Sequence, residues 1–155
     1  MSERLDRRHD PGLEALVRAV LAEDVGEGDV TTAATVPEGR VGRAEIVAKA
    51  DGVVAGLDAV EATYRAVDAA VRFEARAADG DRVRPGTRVA TAAGPFDALL
   101  VAERTALNFL QRLSGVATLA ARFVSAIEST DVTIVDTRKT TPGLRDLEKA
   151  AVRAG

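Results

Sequence analysis

Between Val132 and Gly143 the sequence reads Val-Thr-Ile-Val-Asp-Thr-Arg-Lys-Thr-Thr-Pro-Gly, and here cations and hydroxyls crowd together. Arg138 offers a planar fork of donors suited to carboxylate or phosphate, Lys139 a compact point charge, and the flanking threonines short-range hydroxyl contacts. Such a cluster suits an anionic small molecule. The competing reading is a polar βα loop whose charges are simply solvated. One compositional bias bears on the choice: only three of the 21 Lys and Arg residues are lysine, at 49, 139 and 149. Where arginine is the default cation, a lysine beside Arg138 hints that an ammonium is wanted, although chance also accounts for a single residue.

The elements that must position this stretch can be read outward from it. Val132, Ile134 and Val135 predict a strand in front of the loop. Behind it, Leu144, Leu147 and Ala151 predict one face of a helix, with Arg145, Asp146, Glu148, Lys149 and Arg153 on the other. Together they make a βα unit, and in α/β barrels active sites lie at the carboxyl ends of the strands. Upstream, Leu99, Ala102, Ala106, Phe109, Leu110 and Leu113 predict a helix over 98–113, and Ser114-Gly115 predicts a break. Val116, Leu119, Phe123, Val124 and Ile127 then supply the apolar spacing of a second helix.

Nearer the amino terminus, Asp10-Pro11 is a cap followed by a first-turn proline. Leu13, Leu16, Val17, Val20 and Leu21 continue as a helix to about Asp24. The acidic loop Glu23–Thr32 lacks the ligand spacing of a calcium loop and reads as a structural turn. Strands are expected within 41–50, at 53–55, over 71–77 and around 83–90, and a helix from Leu57 to Val67. This pattern is a small antiparallel sheet with flanking helices. Gly80-Asp-Arg-Val-Arg-Pro-Gly86 also occurs in lipoyl and biotinyl carrier domains, where a lysine sits on a hairpin tip. Lys49 before Asp51-Gly52 is a weak counterpart, since no Met flanks it and a helical segment interrupts the strands.

Composition removes several classes. Apolar residues make up 46% and charged residues 29%, with a net charge of −3, so neither nucleic acid nor an anionic membrane is favoured as partner. No apolar run approaches the roughly 20 residues that span a bilayer, and the charged start lacks a secretory apolar core. The chain reads as cytoplasmic. Cysteine is absent, and the one histidine, His9, lies in a polar segment more suited to fraying than to catalysis. Aromatics are only 3%, which leaves no stacking platform for single-stranded nucleic acid.

Two long motifs carry a resemblance. Glu103-Arg-Thr-Ala-Leu-Asn-Phe-Leu-Gln-Arg-Leu-Ser-Gly-Val-Ala-Thr118, followed by Asp136-Thr-Arg-Lys-Thr-Thr-Pro-Gly-Leu-Arg-Asp-Leu-Glu-Lys149, closely resembles the quinolinate phosphoribosyltransferases. Glu23–Thr32 and Asp51–Gly56 are similar to that family too. The resemblance implies an α+β N-terminal sandwich domain over 1–113 and, over 114–155, the first βα unit of an incomplete α/β barrel. It implies the joining of quinolinate to phosphoribosyl pyrophosphate, with substrate-associated Mg²⁺, giving nicotinate mononucleotide, pyrophosphate and CO₂ in NAD biosynthesis. It implies a homodimer in which Arg104 reaches quinolinate in the partner's site. Thr137, Arg138 and Lys139 line the quinolinate and phosphoribosyl sites, with Arg104 and Arg138 on carboxylates and Lys139, the catalytic candidate, on the phosphoribosyl side. The family's pattern continues with a glycine-rich turn, a His-Arg pair, a Lys and acidic residues, none of which follows Gly155. The 155 residues are therefore expected to be inactive alone. Two other readings stay open: the pyrophosphorylase-like relative associated with molybdenum transport, and a non-catalytic carrier-like or dimerising module.

Overall fold

A computed structural model of the chain describes residues 10–26 and 28–155. His9, and Glu27 within the acidic loop, lie outside the described residues.

Helix α1 spans Pro11–Val25 and begins as its sequence predicts. The Asp10 carboxylate accepts from the Gly12 amide at 2.8 Å, and Pro11 fills a position whose missing N–H costs nothing. The acidic loop is only partly a turn, because Asp29 opens a second short helix, α2, over Val30–Thr35. Its Oδ1 accepts from the Thr31 and Thr32 amides at 3.1 and 3.0 Å, and its Oδ2 accepts from the Thr32 hydroxyl at 2.6 Å.

Among the described residues five strands and three more helices complete the order: β1 Val41–Val47, β2 Gly52–Val53, α3 Leu57–Val67, β3 Arg72–Ala75, β4 Arg82–Val83, β5 Arg88–Pro95, α4 Phe96–Ala126 and α5 Arg145–Ala154. One sheet has the order β1-β5-β3, and β2 pairs with β4 antiparallel, Gly52 opposite Val83 and Val53 opposite Arg82. The amino end of α3 is capped from a distance: Asp79, in the turn between β3 and β4, accepts from the Gly56 and Leu57 amides at 2.9 and 3.1 Å. An antiparallel sheet with helices against it is the α+β arrangement the sequence pattern implies.

The chain packs as two compact units. One gathers residues up to Ala44 with Asp58–Phe73 and Ala92–Leu107; the other gathers Glu45–Leu57, Glu74–Thr91 and Asn108–Gly155. In the first, Val17, Val60, Thr63, Tyr64 and Thr105 are fully buried, and the Tyr64 and Phe73 rings stack with centroids 6.1 Å apart. Burial in this core raises the Tyr64 pKa, and the charge of Glu103 adds to the shift. In the second unit Val54, Ala55, Val89, Leu113 and Ala117 are among the buried residues.

Three expectations need correction. Ser114-Gly115 does not break a helix; α4 runs unbroken through it. A helical glycine costs about 1 kcal/mol relative to alanine, and Ser114 offsets this with tertiary bonds, its Oγ accepting from the Ala55 amide at 3.1 Å and donating to the Ala55 carbonyl at 3.3 Å. Beyond it, the large apolar residues do not form the buried face. Leu119, Phe123 and Val124 are exposed, and Ala117, Ala120 and Ala121 are buried instead. The small side chains admit a close neighbour, Gly155 lying against the backbone at Ala117. Finally, Val132–Val135 forms no strand among the described residues. A strand is defined by its ladder, and among the described residues no other strand pairs with this segment; the Val132 amide donates only locally, to Thr130 Oγ1 at 3.3 Å, and Val132 and Val135 are exposed.

Candidate functional site

The cationic stretch folds into a loop held by local chemistry. Thr137 Oγ1 accepts from the Lys139 amide at 3.1 Å, a hydroxyl turn that sets the backbone at Arg138. Further on, the Leu144 amide donates to the Thr141 carbonyl at 3.0 Å. Pro142 and Gly143 occupy the middle of that turn, with Gly143 at φ 80°, the left-handed value that the third position of a type II turn needs. Thr137, Arg138 and Lys139 are all exposed. Neither the Arg138 nor the Lys139 side chain makes a hydrogen bond or ion pair among the described residues.

Both ends of the loop are tied to α5. At one end Lys149 Nζ lies 2.9 Å from Asp136 Oδ1. At the other, Glu148 Oε1 accepts from the Thr141 hydroxyl at 2.7 Å, and Oε2 accepts from the Thr141 amide at 3.1 Å. Arg112 of α4 closes the network: its Nη2 donates to Glu148 Oε1 at 2.9 Å and to Thr141 Oγ1 at 2.7 Å, and its Nε to Glu148 Oε1 at 3.3 Å. Glu148 is only 8% exposed, and no buried side-chain polar atom among the described residues lacks a partner.

The sequence pattern placed Glu148 on the polar face of its helix, and this is wrong. Its neighbours by helical spacing are Leu144 and Ala151, so the signal was present in the sequence but masked by the charge. Burial pushes the Glu148 pKa up, but the Thr141 hydroxyl, the Arg112 guanidinium and the Thr141 amide together outweigh it and hold the carboxyl below its usual value. A depressed folded pKa stabilises the fold above the unfolded carboxylate range, and the benefit is lost as pH falls through the folded pKa. The stability difference between wild type and Glu148→Gln in urea unfolding is therefore expected to hold steady above about pH 6 and to shrink below about pH 4.

Arg104 belongs to the other unit, on the first half of α4. Its Nη1 lies 2.9 Å from Asp24 Oδ1, and the Thr105 hydroxyl donates to Asp24 Oδ2 at 3.2 Å. This pairing, through the hydrogen bond and charge of Asp24, keeps the Arg104 guanidinium still more firmly protonated. Asp29 stands nearby. The Thr32 hydroxyl and amide, the Thr31 amide and the Arg104 charge together lower its pKa. Asp24, Asp29, Leu100, Val101 and Arg104 are among the residues lining a cavity of about 160 Å³. In the sequence Asp24 is no more than the end of a helix and part of an acidic loop. Sequence spacing held no sign that it meets residues 80 positions away.

No group of three or more His, Cys, Asp or Glu among the described residues could hold a metal ion. No helix among them is long and apolar enough to cross a membrane.

These features define a mixed α+β protein carrying a helix-anchored cationic loop. Comparison with known proteins gives the family. Residues 29–114 match the model of the quinolinate phosphoribosyl transferase N-terminal domain, and residues 116–155 match that of its C-terminal domain. The chain is 46% identical over 135 residues to a probable carboxylating nicotinate-nucleotide pyrophosphorylase of Synechocystis, covering 87% of this chain and 45% of that protein. A protein of the same description from Bacillus subtilis is 43% identical, with 92% and 49% covered. Among solved structures, the nicotinate-nucleotide pyrophosphorylase of Francisella tularensis superposes with a TM-score of 0.87 at 34% identity, and NadC of Streptococcus pyogenes with 0.88 at 40%. These cover 93% and 92% of this chain, and 51% of each of those chains. The fold is thus that of the family, the antiparallel α+β domain being followed by a barrel-like β/α segment. The chain belongs to the quinolinate phosphoribosyl transferase family, and spans about half the length of the curated relatives it matches.

Proposed function

We propose that this chain contributes to quinolinate phosphoribosyl transfer in NAD biosynthesis: quinolinate and phosphoribosyl pyrophosphate give nicotinate mononucleotide, pyrophosphate and CO₂. The observation that carries the reading is the exposed loop Thr137–Lys139, whose two cationic side chains have no partner among the described residues while its ends are tied down. Both substrates are polyanions. Quinolinate brings two carboxylates, and its co-substrate a phosphate and a diphosphate. Arg138 suits a carboxylate through its bidentate fork, and Lys139 suits the phosphoribosyl side as a point charge where negative charge develops on the departing diphosphate. Thr137 contributes its side chain to the same surface, alongside its bond from the Lys139 amide. Mg²⁺ enters with the diphosphate, as part of that substrate.

The reading extends to a homodimer in a non-membrane compartment, the cytoplasm, with Arg104 directed at the partner's quinolinate. The Asp24 pair uses Nη1, so Nε and Nη2 of the same guanidinium are still available for a carboxylate. Domain limits at 1–113 and 114–155 belong to the same proposal. Support comes from the family match over both halves.

Binding, rather than turnover, is the test on these 155 residues, which span about half the length of their relatives. Isothermal titration with quinolinate is expected to give saturable binding that weakens with rising salt, as screening of a cation–anion contact requires. Absence of binding at low salt would count against the proposal.

A further inference from the structure

We infer that Glu148, with Arg112 and Lys149, acts as a set of positioning residues that fix the path of the Thr137–Lys139 loop. This rests on the functional reading above and adds to it residues that touch neither substrate.

The geometry points there for three reasons. First, the bonds converge on the loop's two ends rather than on its exposed middle: Lys149 meets Asp136, and Glu148 meets Thr141 through both carboxylate oxygens. Adjacent residues of one helix therefore hold both ends of the segment that presents the cations. Second, Glu148 sits where an apolar side chain of similar size would ordinarily pack at least as stably, since desolvating a carboxylate is expensive. Its position is accounted for by the directed contacts an apolar residue lacks, to Thr141 N, Thr141 Oγ1 and Arg112. Third, Arg112 does more than neutralise that charge. Its Nη2 bridges Glu148 and Thr141 together, so the helix α4 surface, α5 and the loop share one three-cornered junction. A loop whose ends are set in this way presents Arg138 and Lys139 with less ordering left to be done when an anion binds.

The test combines amide hydrogen exchange with quinolinate titration. Glu148→Gln keeps the shape but removes the charge, and is expected to speed exchange at Thr141 by about tenfold or more, the loss typical of a hydrogen bond to a charged group. The quinolinate dissociation constant is expected to rise by about tenfold in the same variant, with exchange in the middle of α4 unchanged. Thr141→Val removes the hydroxyl bonds to Glu148 and Arg112 while the Arg112–Glu148 ion pair stays, and should reproduce both effects if Glu148→Gln fails to fold. Arg138→Ala should do the reverse, losing quinolinate while Thr141 stays protected. Unchanged exchange at Thr141 in both clamp variants would overturn the inference, as would faster exchange with unaltered quinolinate affinity. A wild-type chain that binds no quinolinate while its Thr141 amide is protected would overturn the functional reading but leave the clamp standing.

Discussion

Arg138→Ala is expected to weaken quinolinate binding about 100-fold, equivalent to about 3 kcal/mol, while leaving the fold intact. The size follows from what is removed. A guanidinium that meets a carboxylate through two parallel N–H donors makes a charge-assisted pair, and truncation leaves the ligand's charge without its partner. The lack of a stability cost follows from where Arg138 stands. Its side chain is exposed and has no partner among the described residues, so nothing in the fold is broken when it goes. Surface substitutions of that kind change stability by no more than about 0.5 kcal/mol. Calorimetry and a urea melt on the same preparation check both halves. Retained affinity would remove Arg138 from the site, and a large fall in stability would show that it supports the fold.

The largest structural effect is expected at Gly56. This residue has φ 99°, and a β-carbon added to it would be 2.5 Å from Leu113 Cδ1 and 3.2 Å from Leu113 Cβ. Gly56→Ala is expected to cost about 3 kcal/mol, the sum of a left-handed backbone penalty and overpacking against a buried neighbour. Leu113 is itself 1% exposed, and Leu113→Ala alone should cost about 3 kcal/mol through the cavity it leaves. The two costs should not add. With the leucine's outer carbons gone the new methyl finds room, so the double variant should be more stable than the sum by about 1 kcal/mol. The backbone share remains, because no change at position 113 alters φ at position 56. Additive losses in denaturant unfolding would show that the steric contact is relieved elsewhere.

The parts of this fold legible in sequence are those written by local rules. Asp10-Pro11 announced α1, the alternation over 71–77 announced β3, and the spacing from Leu99 to Leu113 gave the buried side of α4. Where tertiary bonds override local preference, local reading went astray. Ser114-Gly115 looks like a break because its compensation, a hydroxyl bond from Ser114 to the Ala55 backbone, lies 59 residues away. Leu119 and Phe123 have the apolar spacing of a core face, whereas close approach to this part of α4 selects its alanines. The site divided in the same way. Thr137, Arg138 and Lys139 stood out by chemistry alone, and Arg104 through its motif. Glu148 and Asp24 do not: the ion-pair partner of each lies far along the chain, and the charge of Glu148 masks a spacing that would otherwise place it in the core.

The hydroxyls that α4 lends to β2 have a consequence for how the protein behaves in a crowded solution. Strand β2 has β4 on one side. On its other side the Val53 amide donates to Thr118 Oγ1 at 2.9 Å and the Ala55 amide to Ser114 Oγ. Those are the groups a third strand would need to recruit. An uncovered strand edge is a template for edge-to-edge association between molecules. Here two side chains from a helix occupy the template on the β2 side, so that edge is closed to strand addition without a proline, a bulge or a surface lysine having to guard it.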